Sequence, residues 1–300
     1  MSAIIVPYRH KISPSGSKER PAPVSSQDDY AVSPGTGPLA AEPPSFDTSR
    51  AHPARVYDYW LGGKDNYEAD RDAARQMIET LPAVLLGVRA NRAFLRRAVQ
   101  YLVTEAGIRQ FLDIGTGLPT AENTHQVAQS VAPEARLVYV DNDPIVLAHA
   151  RALLTSSPEG ATAYVDADAR NTDTILREAA QILDFTQPVA IMALLVLQYI
   201  PDSDQPHQIV SRLLDAVPPG SYLTISDTTT DIDTERMAEG TARLNARLGP
   251  AKSTPRSRAQ IARYFDGLDF VEPGLVPMPQ WRALAKPVAI PAYAGIARKP

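Results

Sequence analysis

Residues 111–120 read FLDIGTGLPT, Phe111 to Thr120. Phe111, Leu112 and Ile114 give the run strand character, and it passes directly into Gly115-Thr116-Gly117. A glycine pair at the end of a strand lets the backbone turn sharply and approach a ligand, while the helix predicted to follow aims its free N–H groups at the same place. Tight strand-to-helix turns also use glycine for steric reasons alone. The reading gains weight from Asp141, which ends the next predicted strand in VYVDNDP (138–144), where a carboxylate can accept both hydroxyl protons of a ribose. The two features together point to a ribose-bearing cofactor.

Outward from this loop, strand-length apolar runs alternate with helical patterns. QFLDIG, RLVYVD, ATAYVD, VAIMALLV and SYLTISD read as strands. Between them AENTHQVAQSVA, PIVLAHARALL, TDTILREAAQIL and PHQIVSRLLDAV read as helices, and Asp143-Pro144 supplies an N-cap and first-turn proline for the second. Such alternation predicts βαβ units, a parallel sheet and helices on both of its faces. Upstream, Leu95, Ala98, Val99 and Leu102 repeat at the spacing of a helix with one buried face. Near the end, after helices at about 233–247 and 257–267, FVEPGLVPM and AYAGIARK are separated by about a dozen residues without a convincing helix, which predicts an antiparallel pair.

The bulk composition excludes several classes. A net charge of −4 gives no basic footprint for nucleic acid. The absence of cysteine removes disulfides, thiolate metal sites and a cysteine nucleophile. The five histidines lack metal-site spacing, so no metal is expected; His125 and His149 fall in helical segments and read as surface or boundary residues. No apolar run approaches the roughly 18 residues of a membrane span, and a soluble cytoplasmic protein is expected. Residues 1–45, rich in Pro, Ser and Gly, read as a disordered leader, residues 46–107 as an N-terminal helical segment and residues 108–300 as the cofactor-binding core.

A dinucleotide fingerprint, G-x-G-x-x-G, has glycine at its sixth position, and here Thr120 stands there, which weakens a nicotinamide-dependent oxidoreductase. Asp113, two residues before Gly115, suits instead the ammonium of a methionyl group. With Asp141, with DADA (166–169) after the third strand and with the closing antiparallel strand, the chain resembles class I S-adenosylmethionine-dependent methyltransferases. ARVYDYWLGGKDNY, NRAFLRRAV, VYVDNDPIVLAHARALL, RSRAQIARYFDGL and VEPGLVPMP narrow this to a largely uncharacterised actinobacterial family of predicted S-adenosyl methyltransferases, over residues 47–299. The resemblance implies a Rossmann-like α/β fold with a mostly parallel seven-stranded sheet and an antiparallel last strand. It implies that Asp113, Gly115, Thr116 and Gly117 line the methionyl end and that Asp141 holds the ribose. Asn142 would flank the adenine, Asp168 and Ala169 would meet its edge, and Leu194 with the segment around Gln198 and Tyr199 would face the transferred methyl.

A class I sheet leaves such a cofactor open at its strand ends, so a cover is needed that excludes water and shapes a substrate pocket. ARVYDYWLGGKDNYEADR (54–71) combines aromatic faces, a glycine pair and charges. Tyr57, Tyr59, Gly62, Gly63, Lys64, Asp65 and Asn66, helped by Arg92, are expected to form this lid. In the other reading Tyr57 and Trp60 only pack a helix against the sheet and the glycines end it. No residue announces itself as a general base. The function expected is methyl transfer to a small molecule, possible in specialised metabolism; a noncatalytic module that binds S-adenosylmethionine or a nucleoside is the alternative.

Overall fold

Parallel strands covered on both faces need apolar side chains on both, and the runs read from the sequence supply them. A computed structural model describes residues 47–120, 122–153, 155–283 and 290–300, and the expectation for residues 1–45 lies outside the described residues. Three helices come first: α1 (Pro53–Trp60), α2 (Glu68–Thr80) and α3 (Val84–Thr104). Strands and helices then alternate as β1 (Gln110–Ile114), α4 (Thr124–Gln129), β2 (Arg136–Asp141), α5 (Pro144–Leu153), β3 (Ala161–Asp166) and α6 (Thr172–Ala179). The alternation continues through β4 (Ala190–Leu194), α7 (Pro206–Asp215) and β5 (Tyr222–Thr228). After α8 (Thr234–Arg247) and α9 (Arg258–Ala262) come two short strands, β6 (Asp269–Phe270) and β7 (Val276–Pro277), and then β8 (Ala292–Arg298).

All strands join one sheet in the order β3-β2-β1-β4-β5-β8-β6, with β7 also on β8. β1 to β5 are mutually parallel, whereas β8 runs antiparallel to β5 on one side and to β6 and β7 on the other. Phe270 pairs with Ala297 and Val276 with Ala294, so β6 and β7 share one edge and the eight strands fill seven positions. The late antiparallel pairing expected from the sequence is present. Among the described residues between β7 and β8 no α-helix carries the chain back to a parallel start.

Side-chain alternation along β1 sorts the core. Leu112 and Ile114 join a cluster with Ile175 of α6 and Leu213 of α7, while Phe111 joins Leu95, Val99 and Leu102 of α3 on the opposite face. Each large side chain so buried contributes about 1.5–3 kcal/mol. Trp281, fully buried, meets Phe94 edge-on at 5.4 Å and pins the segment before β8 to α3. A third cluster joins Val56 and Trp60 of α1, Met77 of α2 and Met237 and Leu244 of α8. α1 and α2 therefore pack with α8, and residues of all three line one cavity together with residues at the carboxyl ends of the strands. Among the described residues no helix is long and apolar enough to cross a membrane.

Candidate functional site

From the centre of the sheet the chain runs outward through β2 and β3, then returns to lay β4 on the other side of β1. Open α/β sheets hold ligands at the carboxyl ends of their strands where the winding reverses in this way. Gly115 sits there at φ +69°, and a Cβ on it would lie 2.2 Å from Cγ2 of Val196, which follows β4. The loops after β1 and β4 thus touch through Gly115, and a side chain would force them apart.

Two backbone donors fix the carboxylate of Asp141. The Gly117 N–H donates to its Oδ2 at 2.8 Å and the Asp143 N–H to its Oδ1 at 3.0 Å. A carboxylate offers about four acceptor positions, so capacity remains for further donors. Burial pushes the Asp141 carboxyl above the usual carboxylate range, and the two N–H groups oppose that shift. Asp113, buried on β1, accepts from Oγ1 of Thr124 at 2.7 Å; burial pushes its carboxyl up to about 6 against the pull of that bond. Asp143 caps α5 as the sequence suggests, its Oδ1 accepting the Ile145 N–H at 2.8 Å. Its Oδ2 lies 2.8 Å from Nδ1 of His52, and burial, which alone would raise the Asp143 carboxyl, is outweighed by this contact.

Beyond β3, Asp168 is clasped by Arg170, whose Nε and Nη2 donate to its two oxygens at 2.8 and 2.7 Å. That guanidinium holds the Asp168 carboxyl below its ordinary range. Nδ2 of Asn142 donates to Asp168 Oδ2 at 3.2 Å, linking the tips of β2 and β3. After β4, Leu195 adopts φ +54°, a left-handed conformation that strains a branched residue. Gln198 Nε2 donates to the Leu195 carbonyl at 3.2 Å, and its Oε1 accepts from the hydroxyl of Thr228. Arg256, buried, holds this loop from behind by donating to the carbonyls of Leu197 at 2.9 Å and Ile200 at 2.6 Å and to Asp202 at 2.9 Å. Its Nη1 stands 3.6 Å from the buried Asp227, whose carboxyl burial pushes up to about 7 against the attraction of Arg256.

The N-terminal helices supply the opposite wall. The Tyr57 hydroxyl donates to the Val88 carbonyl at 3.2 Å and accepts from Asn91 Nδ2 at 3.1 Å, while Asn91 Oδ1 accepts from Ser226 Oγ at 2.7 Å. This chain of bonds ties α1 to α3 and to β5. Arg55 and Asp70, both buried, pair at 3.0 Å between α1 and α2. Trp60 Nε1 donates to the Ala74 carbonyl at 3.2 Å, so Trp60 also fastens α1 to α2.

Between these walls lies a cavity of about 240 Å³. Every residue expected at the cofactor, from Asp113 to Leu194, lines it, and so do Tyr57, Trp60, Arg92, Gln198 and Tyr199. Tyr59, Gly62, Gly63, Lys64, Asp65 and Asn66, expected in the cover, do not line it. The cause is Asp58. Its Oδ2 accepts from the Asp65 N–H at 3.0 Å and from Asn66 Nδ2 at 2.8 Å, curling the glycine-containing loop onto the end of α1 with Gly62 to Asp65 exposed. Tyr59 packs instead into the cluster of α1, α2 and α8. His125 is corrected: it is buried, and its N–H donates to the Tyr139 hydroxyl at 2.8 Å. Sequence reasoning overlooked Met77 of α2, Leu81 just after it, and Met237, Thr241 and Leu244 of α8, all of which line the cavity. The i, i+4, i+7 spacing of the α8 residues was the signal available.

A doubly wound sheet closed by one antiparallel strand, with a carboxylate after β2 hydrogen-bonded to the glycine turn after β1, defines the class I methyltransferase architecture. Residues 39–300 match the model of a family described as S-adenosyl methyltransferase, and the chain belongs to that family. A DUF574 family protein from Streptomyces avermitilis is 45% identical, with a TM-score of 0.82 over 85% of this chain and 99% of that one. A protein from Thermobifida fusca, provisionally assigned as a methyltransferase, is 41% identical, with a TM-score of 0.77 over 84% of this chain and 96% of that one. No curated protein matches the sequence. The chain is an S-adenosylmethionine-dependent methyltransferase.

Proposed function

We propose that the strand-end half of the cavity holds S-adenosylmethionine and that the half enclosed by α2, α3 and α8 holds a small-molecule methyl acceptor. The observation that carries this reading is the hydrogen bond from Gly117 to Asp141, which brings the glycine turn and the carboxylate within reach of one ligand. The residues present suit the cofactor. Asp141 keeps acceptor capacity for a ribose diol, and Asp113, whose side chain is otherwise bonded to Thr124, supplies an anion for an ammonium. Gly115, Thr116 and Gly117 would give the methionyl end a close backbone approach, Asn142 would flank the adenine, and Asp168 with the Ala169 backbone would meet its edge. When bound, S-adenosylmethionine supplies a methyl group on a cationic sulfur that leaves as a neutral thioether once an acceptor lone pair attacks.

The chain's own task is then to align the acceptor and exclude water. Leu194, Gln198 and Tyr199 line the cavity and would border the meeting point of the two halves, and Arg256 keeps their loop in place. Burial pushes the phenols of Tyr57 and Tyr199 above their ordinary range, so both stay protonated near neutral pH and serve as donors rather than bases. The wall of α1, α2 and α8 takes the covering role, and the segment ARVYDYWLGGKDN (54–66) would be its family signature. A cavity of about 240 Å³ and a net charge of −4 favour a small molecule over nucleic acid. Calorimetric titration with S-adenosylhomocysteine and with NAD tests the cofactor. Saturable binding of the first and none of the second is expected; binding of NAD alone would overturn the reading.

A further inference from the structure

The cavity is chemically divided. Its ionisable side chains among the described residues are His52, Arg92, Asp113, Asp141, Asp168 and Arg170, which come from the start of α1, from α3, from the ends of β1 and β2 and from the loop after β3. The part bounded by α2 and α8 is lined by Met77, Leu81, Met237 and Leu244, with Val88 of α3, and among the described residues no charged side chain from α2 or α8 reaches it. A charged acceptor placed there would lose its hydration with no counter-ion to replace it.

Most polar groups bordering this apolar part are already engaged. Tyr57 is bonded to Val88 and Asn91, Asn91 to Ser226, and Gln198 to Leu195 and Thr228. Thr241 differs. It is only 8% exposed, the residue lines the cavity, and its Oγ1, itself shielded from the cavity, has no hydrogen-bond partner. A helical threonine commonly turns its hydroxyl back to the carbonyl four residues earlier, and this one does not. Buried hydroxyls without partners are uncommon, because the lost hydration is uncompensated.

We infer that the apolar end of the cavity is the acceptor site for a neutral, largely hydrocarbon molecule bearing a hydrogen-bonding group, and that Thr241 Oγ1, which has no bond to lose, turns about χ1 into the cavity and bonds that group. The inference rests on the reading of the adjoining half as the cofactor site. Thr241 thereby becomes a specificity determinant, which admits acceptors that satisfy its hydroxyl and leaves purely apolar molecules of the same shape without that bond. Charged acceptors are rejected by the surrounding walls.

The test uses the full chain loaded with S-adenosylhomocysteine and three probes of similar size: 2-naphthol, 2-naphthoate and 2-methylnaphthalene. In calorimetric titrations 2-naphthol should bind and 2-naphthoate should bind at least about tenfold more weakly. Thr241→Val, which keeps the shape and removes the hydroxyl, should weaken 2-naphthol about fivefold and leave 2-methylnaphthalene unchanged. Thr241→Ser should restore the 2-naphthol affinity, which a merely structural role for the residue does not predict. Equal binding of naphthol and naphthoate, no binding of any probe, or an unchanged naphthol affinity in Thr241→Val would each overturn the inference. Titration of S-adenosylhomocysteine alone separates the two readings, since its failure to bind strikes the cofactor site and its normal binding leaves the acceptor result to be judged by itself.

Discussion

Replacing Asp141 with asparagine keeps the shape of the side chain and removes its charge. In the wild-type protein each carboxylate oxygen accepts one backbone N–H, from Gly117 at 2.8 Å and from Asp143 at 3.0 Å. Asparagine has one acceptor oxygen, so its amide nitrogen must confront one of those donors. Leaving a buried donor unpaired costs ~1–3 kcal/mol. Burial already disfavours the ionised carboxylate, so relief of that charge offsets part of the loss. The ligand-free fold should therefore lose ~1–2 kcal/mol, read from urea denaturation. Binding should suffer more. Hydrogen bonds to a charged group contribute ~1.5–3 kcal/mol, which corresponds to a roughly 10- to 150-fold weaker affinity for S-adenosylhomocysteine by calorimetry. Comparing adenosine with 2′,3′-dideoxyadenosine isolates the diol: the wild type should discriminate between them and Asp141→Asn should not. If the variant loses stability yet binds S-adenosylhomocysteine within about twofold of wild type, Asp141 is only a brace for the loop and the assignment of the ribose site fails.

Four further outcomes follow from other parts of the fold. Because burial raises Asp113 to about 6 and an ammonium needs its ionised form, S-adenosylhomocysteine affinity should strengthen as pH rises through about 6 and then level off, a dependence that Asp113→Asn should abolish in calorimetric pH series. The sign for stability is opposite: the folded chain holds this proton more tightly than the unfolded chain, so the contribution is complete below the ordinary value of 3.8 and is lost as pH rises through about 6, visible as a difference between wild type and Asp113→Asn in urea denaturation. Gly63→Ala would place a Cβ 1.9 Å from Asp58 Oδ1, displacing the carboxylate that holds Asp65 and Asn66, and should cost more than ~2 kcal/mol, whereas Gly62→Ala meets open space and should cost only the ~1–2 kcal/mol of its φ of +83°; equal denaturation midpoints would contradict this. Arg256→Met should destabilise the fold by ~3–5 kcal/mol, since it orphans two carbonyls and strands Asp227, and adding Asp227→Asn should recover part of the loss; a change under ~1 kcal/mol refutes the clamp.

The sheet and the cofactor half of the cavity were largely legible because their signals are local. Gly115, Asp141 and Asp168 stand at or just beyond the ends of strands whose apolar runs announce themselves, and strand ends are where such folds bind ligands. The acceptor half was not, because its walls are made by distant pieces of chain: Met77 and Met237 become neighbours only when α2 packs on α8. The position of the 62–66 loop was hidden for the same kind of reason. Aromatic and glycine content suggested a cover, but the contact that sets its place is Asp58 reaching Asp65 and Asn66, which composition does not reveal. Arg256 likewise looks like any surface arginine in the sequence until the fold buries it between two loops.

β8 occupies an interior position between β5 and the β6/β7 edge, although it follows every other strand in the chain. The sheet therefore cannot be completed in the order in which it is synthesised: β5 waits for a neighbour more than sixty residues downstream (222 to 298), and β6 and β7 have no other strand to join. Long-range pairing of this kind slows folding. It also acts as a checkpoint, because Thr228 at the end of β5 belongs to the cavity wall, and a nascent chain lacking its final insertion holds neither a finished sheet nor a finished pocket.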